Sequence, residues 1–189
     1  MEYTKIKKIA KGWSSYIWLA KDENNNKIVI KEVREKSNRK NLCEREGNML
    51  ALANTVNVGP KLIYKNEKEN NVVMEYINGI KFLDFVESEE FDSIEKKELY
   101  EFVKELYWQC MLLDSIGLAH TQLQVGKDIL VTKKNKKIFP TIIDFEKGSL
   151  RTDHKAKNIG QIESFLFYNP NGFVAKKVRE KLDLILTND

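Results

Sequence analysis

The chain of 189 residues has little proline, glycine or cysteine, and each scarcity excludes a class of protein. Three prolines and nine glycines exclude a collagen-like or low-complexity chain. Two cysteines, Cys43 and Cys110, are too few for a disulfide framework or a cysteine-based zinc site. No apolar run approaches the ~20 residues of a membrane span, and the first residues do not resemble a secretory signal. We therefore expect a cytoplasmic globular protein.

An excess of charge of one sign is also missing. Thirty-two Lys and Arg residues against 28 Asp and Glu residues give a net charge of +4. The charges are interspersed along the chain, which is typical of a solvated surface. The lysine-rich segment 133–137 fits an exposed hairpin turn better than a nucleic-acid patch. Together with Lys5, Lys7 and Lys8, it is the best candidate surface for an RNA or ribosome-associated partner.

The hydrophobic pattern predicts an α+β fold. Strands are indicated by β-branched and aromatic runs, and helices by apolar residues at a spacing near 3.6. The predicted elements are three strands within 5–33, a helix over 41–54, strands at 61–64 and 72–76, a helix over 93–116, strands at 129–131 and 138–143, and helices over 155–167 and 174–186. A break at Asn78-Gly79 suggests one domain of two lobes, 1–78 and 79–189.

The turn between the first two strands has small residues at the spacing of a phosphate-binding loop. Ala10, Gly12 and Ser15, followed by Ile17, match the spacing of the pattern G-x-G-x-x-G-x-V. Small residues are needed there because backbone amides must approach phosphate oxygens closely. Together with Ser14, these residues are candidate nucleotide ligands, and an ordinary β-hairpin is the alternative.

A lysine and a glutamate lie at positions suited to holding phosphates. Lys31 ends the strand sequence Ile28-Val29-Ile30 and matches a pattern in which a strand lysine contacts nucleotide phosphates and a helix glutamate. Glu46 in the following helix is the predicted partner because it lies about one helical turn before the apolar residues Met49 and Leu50. Glu44 is the alternative.

An aspartate follows the second predicted strand of the C-terminal half. In Ile142-Ile143-Asp144-Phe145-Glu146, Asp144 lies at the metal-binding position of the pattern D-F-G, with Glu146 in place of glycine. An aspartate there can hold Mg²⁺ against nucleotide phosphates. The alternative is an aspartate that caps a turn.

The segment 120–131 has the frame of the catalytic loop H-R-D-L-x-x-x-N, but its residues differ. Gln122 stands where the catalytic acid is expected, and a glutamine cannot accept a proton. Asp128 lies one residue beyond the expected asparagine, so it is a candidate Mg²⁺ ligand if the loop contains one inserted residue. His120 starts the motif or simply packs in the core.

Together these segments resemble the protein-kinase-like superfamily across residues 5–150. The segments 12–15, 46–51 and 57–62 look most like RIO-type and short archaeal predicted serine/threonine kinases. The resemblance implies a bilobal fold, with an N-terminal antiparallel sheet and one helix, and a reduced, mainly helical C-terminal lobe that carries the metal site. It also implies ATP and Mg²⁺ bound between the lobes. The implied adenine contacts are Ile17 above the base, Met74 behind it, the hinge residues Glu75 and Ile77, and Leu130 below it.

The function implied by the resemblance is an ATP- and Mg²⁺-dependent phosphotransferase, a serine/threonine protein kinase of atypical RIO-like type. Its catalytic residues would be Lys31, Glu46, Gln122 and Asp144, and its acceptor a protein hydroxyl. The short segment after Asp144 contains no A-P-E motif, which argues against a long activation loop and a peptide-docking platform. The alternatives are a pseudokinase that binds nucleotide and engages a protein or RNA partner, and a small-molecule kinase.

Overall fold

Contacts divide the computed structural model into two units, and the structure describes residues 2–37, 41–153 and 155–184. The first unit contains the residues up to Ile77 together with Asp144–Gly148. The second contains Asn78–Ile143 and the residues from Ser149 onward. Asp144 was predicted to belong to the lobe 79–189, but Asp144–Gly148 belongs to the first unit, where the turn that follows Asp144 packs on the sheet and helix. The ring of Phe145 in this turn is buried against Gly59.

The first unit is a five-stranded antiparallel sheet with one helix. Its strands have the order β1-β2-β3-β5-β4 in the sheet. The elements are β1 (Tyr3–Lys11), β2 (Ser15–Asp22), β3 (Lys27–Val33), α1 (Leu42–Asn54), β4 (Leu62–Asn66) and β5 (Asn71–Glu75). The three strands predicted within 5–33, the helix over 41–54 and the two strands that follow are therefore confirmed.

Alternation along β3 separates an apolar core from the residues of the candidate site. Ile28 and Ile30 are buried on one face of the sheet, in a cluster with Ala20 and Val73. Because successive strand residues point to opposite faces, Lys31 lies on the other face. On that face its ammonium group contacts Glu46 of α1.

The second unit is mainly helical and contains a three-stranded sheet of order β6-β8-β9 and a short strand pair, β7 and β10. The strands are β6 (Gly79–Lys81), β7 (Leu118–Ala119), β8 (Ile129–Lys134), β9 (Lys137–Ile142) and β10 (Ser149–Leu150). The helices are α2 (Phe82–Val86), α3 (Glu89–Ser93), α4 (Lys96–Ser115), α5 (Asn158–Glu163), continued by a π-helical turn (Ser164–Tyr168), and α6 (Phe173–Leu182). Within the described residues there are also two 3₁₀ turns, Leu123–Val125 in the second unit and Phe145–Lys147 in the first.

Most differences from the predicted elements concern short segments and ends. The long helix was predicted to start at 93, but Ser93 ends α3, and α4 starts at Lys96. The last helix was predicted to end at 186; α6 ends at Leu182, and residues 185–189 lie outside the described residues. The lysine-rich segment 133–137 is the predicted hairpin turn. Its central residues Asn135 and Lys136 have φ values of 52° and 63°, as a type I′ turn requires.

The antiparallel sheet with one helix in the first unit and the helices of the second unit confirm the predicted α+β class. Over the described part of the chain, none of the helices combines the length and apolarity that crossing a bilayer requires.

Candidate active site

The centre of the candidate site is a buried ion pair between β3 and α1. Lys31 is 6% exposed and Glu46 is 2% exposed, and the ammonium group contacts the carboxylate directly. Glu44, the alternative partner, is exposed on the outer side of the helix. Glu46 therefore pairs with Lys31, as its helical spacing predicted.

Burial and neighbouring charges act in opposite directions on this pair. Burial by itself lowers the pKa of Lys31, but the charges of Glu46 and Asp144 outweigh this effect and raise the pKa above its ordinary value. Burial raises the pKa of Glu46 to about 7, although the charge of Lys31 opposes this shift. The lysine therefore keeps its positive charge, and the carboxyl group of Glu46 gains a proton more easily than an ordinary glutamate does.

Asp144 approaches the same lysine from the turn after β9. Its carboxylate oxygen Oδ1 accepts a hydrogen bond of 2.7 Å from Lys31 Nζ, and its side chain remains 35% exposed. The backbone of Asp144 is left-handed, with φ 63° and ψ 68°. Aspartate and asparagine tolerate this conformation better than most residues. A ligand from solvent can thus reach the carboxylate of Asp144.

Glu146 is a site residue that the sequence analysis did not assign. Its Oε2 atom lies 3.5 Å from Lys31 Nζ, and its carboxylate accepts hydrogen bonds of 2.9 and 3.1 Å from the hydroxyl of Ser14. The signal in the sequence was the glutamate that replaces the glycine of the D-F-G pattern. With it, three carboxylates surround one lysine.

This group of carboxylates fits a divalent cation. One oxygen each from Glu46, Asp144 and Glu146 lies within 4.8 Å of the others. Mg²⁺ takes oxygen ligands, commonly one or two carboxylates together with phosphate oxygens and water. Glu46 is bound to the buried side of Lys31, so Asp144 and Glu146 are the residues that would hold the ion.

The predicted phosphate loop is a tight turn between β1 and β2. The amide of Gly12 donates to the carbonyl of Ser15 at 2.8 Å. From outside the turn, the Arg34 guanidinium donates to the carbonyl oxygens of Gly12 and Trp13, each at 3.0 Å. Ser14 and Ser15 are buried, whereas Trp13 is 89% exposed at the tip.

Strand register places several of the predicted nucleotide ligands on one face of the sheet. Ile17 lies opposite Lys31 in the β2–β3 pair and opposite Ala10 in the β1–β2 pair. Met74 lies opposite Val29, two residues before Lys31, and therefore shares its face. Ala10, Ile17 and Met74 accordingly flank the lysine on the side that carries the carboxylates. Glu75 and Ile77 follow at the end of the unit, where Glu75 accepts a hydrogen bond of 3.2 Å from the Lys61 amide.

In the second unit, a buried asparagine holds the segment that resembles a catalytic loop. Asn158 accepts a hydrogen bond of 2.8 Å from the His120 amide, and its own amide group donates to Asp114 and to the Leu118 carbonyl at 2.7 Å each. The His120 ring lies 2.8 Å from the Ile143 carbonyl oxygen. His120 is fully buried, which fits its interpretation as a packing residue, and its place at the start of the loop motif stays a prediction. No local pattern in the sequence pointed to Asn158.

Gln122 follows a strained residue in this loop. Thr121 has φ 70°, which is unusual for a β-branched residue and is found mainly where surrounding structure imposes it. Gln122 is half-buried and directly precedes the 3₁₀ turn Leu123–Val125.

Asp128 is buried, and Leu130 in β8 is half-buried. Both belong to the second unit, and their roles in binding metal and adenine stay predictions.

Comparison with known proteins identifies related sequences and folds. The family model for protein tyrosine and serine/threonine kinases matches residues 4–162. An uncharacterized protein of Methanocaldococcus jannaschii is 31% identical over 106 residues, which cover 54% of this chain and 84% of that protein. The autoinhibited serine kinase domain of the giant muscle protein titin has a similar fold, with a TM-score of 0.66 and 17% identity. That match covers 80% of this chain and 47% of the titin chain, so this chain spans about half the length of its structural relative.

Proposed function

The chain belongs to the protein tyrosine and serine/threonine kinase family, and on that premise we propose that it is an ATP- and Mg²⁺-dependent phosphotransferase acting on a protein serine or threonine hydroxyl. The observation that carries the proposal is Lys31, buried between Glu46 and Asp144. A buried lysine with two carboxylate partners, one of them accessible, is the arrangement that phosphoryl transfer uses. The segments 12–15, 46–51 and 57–62 favour the atypical, RIO-like type.

Each residue of the first unit has a defined part in this proposal. Lys31 binds phosphate oxygens of ATP, and Glu46 fixes the direction of its ammonium group. Asp144, with Glu146, holds Mg²⁺, which when bound neutralises charge on the phosphates. The turn Gly12–Ser15 covers the phosphates with backbone amides, while Ile17 and Met74 contact the adenine beside the hinge residues Glu75 and Ile77.

Gln122 is proposed to orient the acceptor hydroxyl by a hydrogen bond. It cannot take up the hydroxyl proton, so the enzyme works without a general base at this position. Phosphoryl transfer passes through a loose transition state, and positioning with charge stabilisation supplies most of the rate. A general base contributes typically about 10²–10⁴-fold, so we expect slow but real transfer.

Transfer of label from γ-labelled ATP tests the proposal. The protein is incubated with Mg²⁺ and labelled ATP, alone and with a cell extract, and Asp144→Asn serves as the blank. Asparagine tolerates the left-handed backbone of this position, so the variant removes the charge without disturbing the turn. We expect label that depends on Asp144, and the labelled band identifies the acceptor. Equal labelling by the variant would contradict the role of Asp144.

The second candidate is a pseudokinase that binds nucleotide and engages a protein or RNA partner. Gln122 favours it, since the expected acid is missing. Nucleotide-dependent thermal stabilisation without any label transfer would select this function.

For either function, the two buried free thiols, Cys43 and Cys110, support a reducing, cytoplasmic location.

A further inference from the structure

The glutamate that replaces the glycine of the D-F-G pattern changes what surrounds Lys31. A glycine at position 146 would leave two carboxylates near the lysine; Glu146 adds a third, with Oε2 at 3.5 Å from Nζ. The Lys31 side chain is 7% exposed and that of Glu146 is 10% exposed. The side of the lysine that a phosphate would approach is therefore lined by negative charge.

Glu146 also holds the turn between β1 and β2 by hydrogen bonding to Ser14. The Ser14 hydroxyl donates to Oε2 of Glu146 at 2.9 Å and lies 3.1 Å from Oε1, and Ser14 is 5% exposed. Hydrogen bonds to a carboxylate are about twice as strong as neutral ones. We refer to this contact as the Ser14–Glu146 latch. It connects the tip of the β1–β2 turn to the turn that carries Asp144, across 132 residues of sequence.

The backbone on the opposite side of the turn is fixed independently. The Arg34 amide donates to the Ser14 carbonyl at 2.9 Å, and its guanidinium binds the carbonyls of Gly12 and Trp13. The turn is therefore held from the outside by Arg34 and from the inside by Glu146. Of these two contacts, Glu146 is the one that faces Lys31, so it is the contact that an incoming phosphate meets.

We propose that Glu146 is a positioning residue that closes the phosphate site in the nucleotide-free protein, by holding Ser14 and by occupying the phosphate side of Lys31. ATP binds when Glu146 moves away from both, and a divalent cation favours this step because it attracts the carboxylate. The inference rests on the proposed function and assigns a control of nucleotide affinity to that same site. It predicts that the affinity for ATP depends on metal more strongly than the neutralisation of phosphate charge alone requires.

Two variants separate the hydrogen bond between Ser14 and Glu146 from the negative charge of Glu146. Ser14→Ala removes the hydrogen bond and keeps the charge, whereas Glu146→Gln removes the charge and keeps an acceptor oxygen. Glu67→Gln, an exposed position of the same unit with a side chain 72% exposed, is the charge-matched control. Circular dichroism and thermal unfolding establish that each variant is folded.

Amide hydrogen exchange without nucleotide tests closure independently of any kinase activity. In Ser14→Ala we expect exchange of the amides in 11–15 to be about tenfold faster than in the wild type, because the turn opens locally. Unchanged exchange in this variant would overturn the latch. Exchange in Glu67→Gln should equal that of the wild type.

Nucleotide affinity tests the charge of Glu146. Without metal, we expect Glu146→Gln to bind ATP about tenfold more tightly, since one repulsive charge next to the phosphate is removed. With Mg²⁺ this advantage over the wild type should disappear or reverse, because Glu146 is also one of the two residues proposed to hold the metal. Wild-type affinity in both conditions, or weaker binding without metal, would overturn the inference while leaving the proposed function intact. If neither the wild type nor any variant bound ATP, the proposed function would fail and the control of affinity with it.

Discussion

The two units of this protein match the kinase pattern to different degrees. In the first unit, a buried lysine is surrounded by the carboxylates of Glu46, Asp144 and Glu146. In the second unit, the loop containing Gln122 is held by the neutral side chain of Asn158. The first arrangement suits the binding of phosphate and metal. The second lacks the acid that would take a proton from an acceptor.

If the proposed function is correct, we expect this difference to make nucleotide affinity depend on the first unit and the transfer rate on the second. Variants of the first unit should change nucleotide affinity and the stability of a buried charge cluster. Variants of Gln122 should change the rate and leave stability nearly constant.

Replacing the buried lysine should have the largest effect. Lys31→Met leaves three carboxylates without their cation, and breaking a buried ion pair typically costs about 3–5 kcal/mol of unfolding free energy. The variant should also lose ATP binding. Lys27→Met, at an exposed position of the same strand, is the control and should stay within about 0.5 kcal/mol of the wild type in urea unfolding. Equal stability of the two variants would contradict the prediction that Lys31 stabilises a buried cluster of carboxylates.

The raised pKa of Glu46 predicts a dependence of stability on pH. Its ordinary pKa is 4.5, and burial raises it to about 7 in the folded protein. Below pH 4.5 both states hold the proton. Between these two pKa values the unfolded chain releases the proton and the folded protein keeps it, so the stability that Glu46 contributes falls as pH rises.

Glu46→Gln isolates this effect. The difference in unfolding free energy, wild type minus variant, should fall by about 3 kcal/mol from pH 4.5 to pH 7. Urea unfolding with a chelator present measures it without bound metal. A difference that does not change with pH would show that burial does not shift the pKa of this carboxyl group.

Removing the asparagine of the second unit should destabilise the protein to a smaller extent. Asn158→Ala deprives the His120 amide, the Leu118 carbonyl and Asp114 of a partner. Each buried group left without a partner costs about 1–3 kcal/mol, and local relaxation should limit the total to about 2 kcal/mol. The transfer rate should fall while the affinity for ATP stays constant. A loss of ATP affinity instead would contradict the separation between the units.

Gln122 should affect only the rate. Gln122→Ala should lower transfer a few-fold, because a hydrogen bond that orients the hydroxyl is lost, and it should not change thermal stability. Gln122→Asp should raise transfer by at least about tenfold, since it supplies a general base. A complete loss of transfer in Gln122→Ala would make this side chain essential for positioning the acceptor.

Local patterns predicted the parts of the site that depend on one strand or one helix. The lysine at the end of the strand sequence Ile28-Val29-Ile30 matched a known pattern and so indicated Lys31, and helical spacing distinguished Glu46 from Glu44. The Ser14–Glu146 latch was not predicted, because it joins residues 132 positions apart and depends on how the turn after β9 packs. The short helices α2 and α3 were missed because five residues are too few to show a period.

The effect of Mg²⁺ on the affinity for ATP, measured by titration calorimetry for the wild type and Asp144→Asn, tests the metal–nucleotide site directly. We expect Mg²⁺ to strengthen ATP binding to the wild type by at least about tenfold, since metal ions bridge nucleotide phosphates to a site aspartate. In Asp144→Asn this strengthening should disappear, while circular dichroism shows that the variant remains folded. The same strengthening in both proteins would contradict the assignment of the first unit as a metal–nucleotide site.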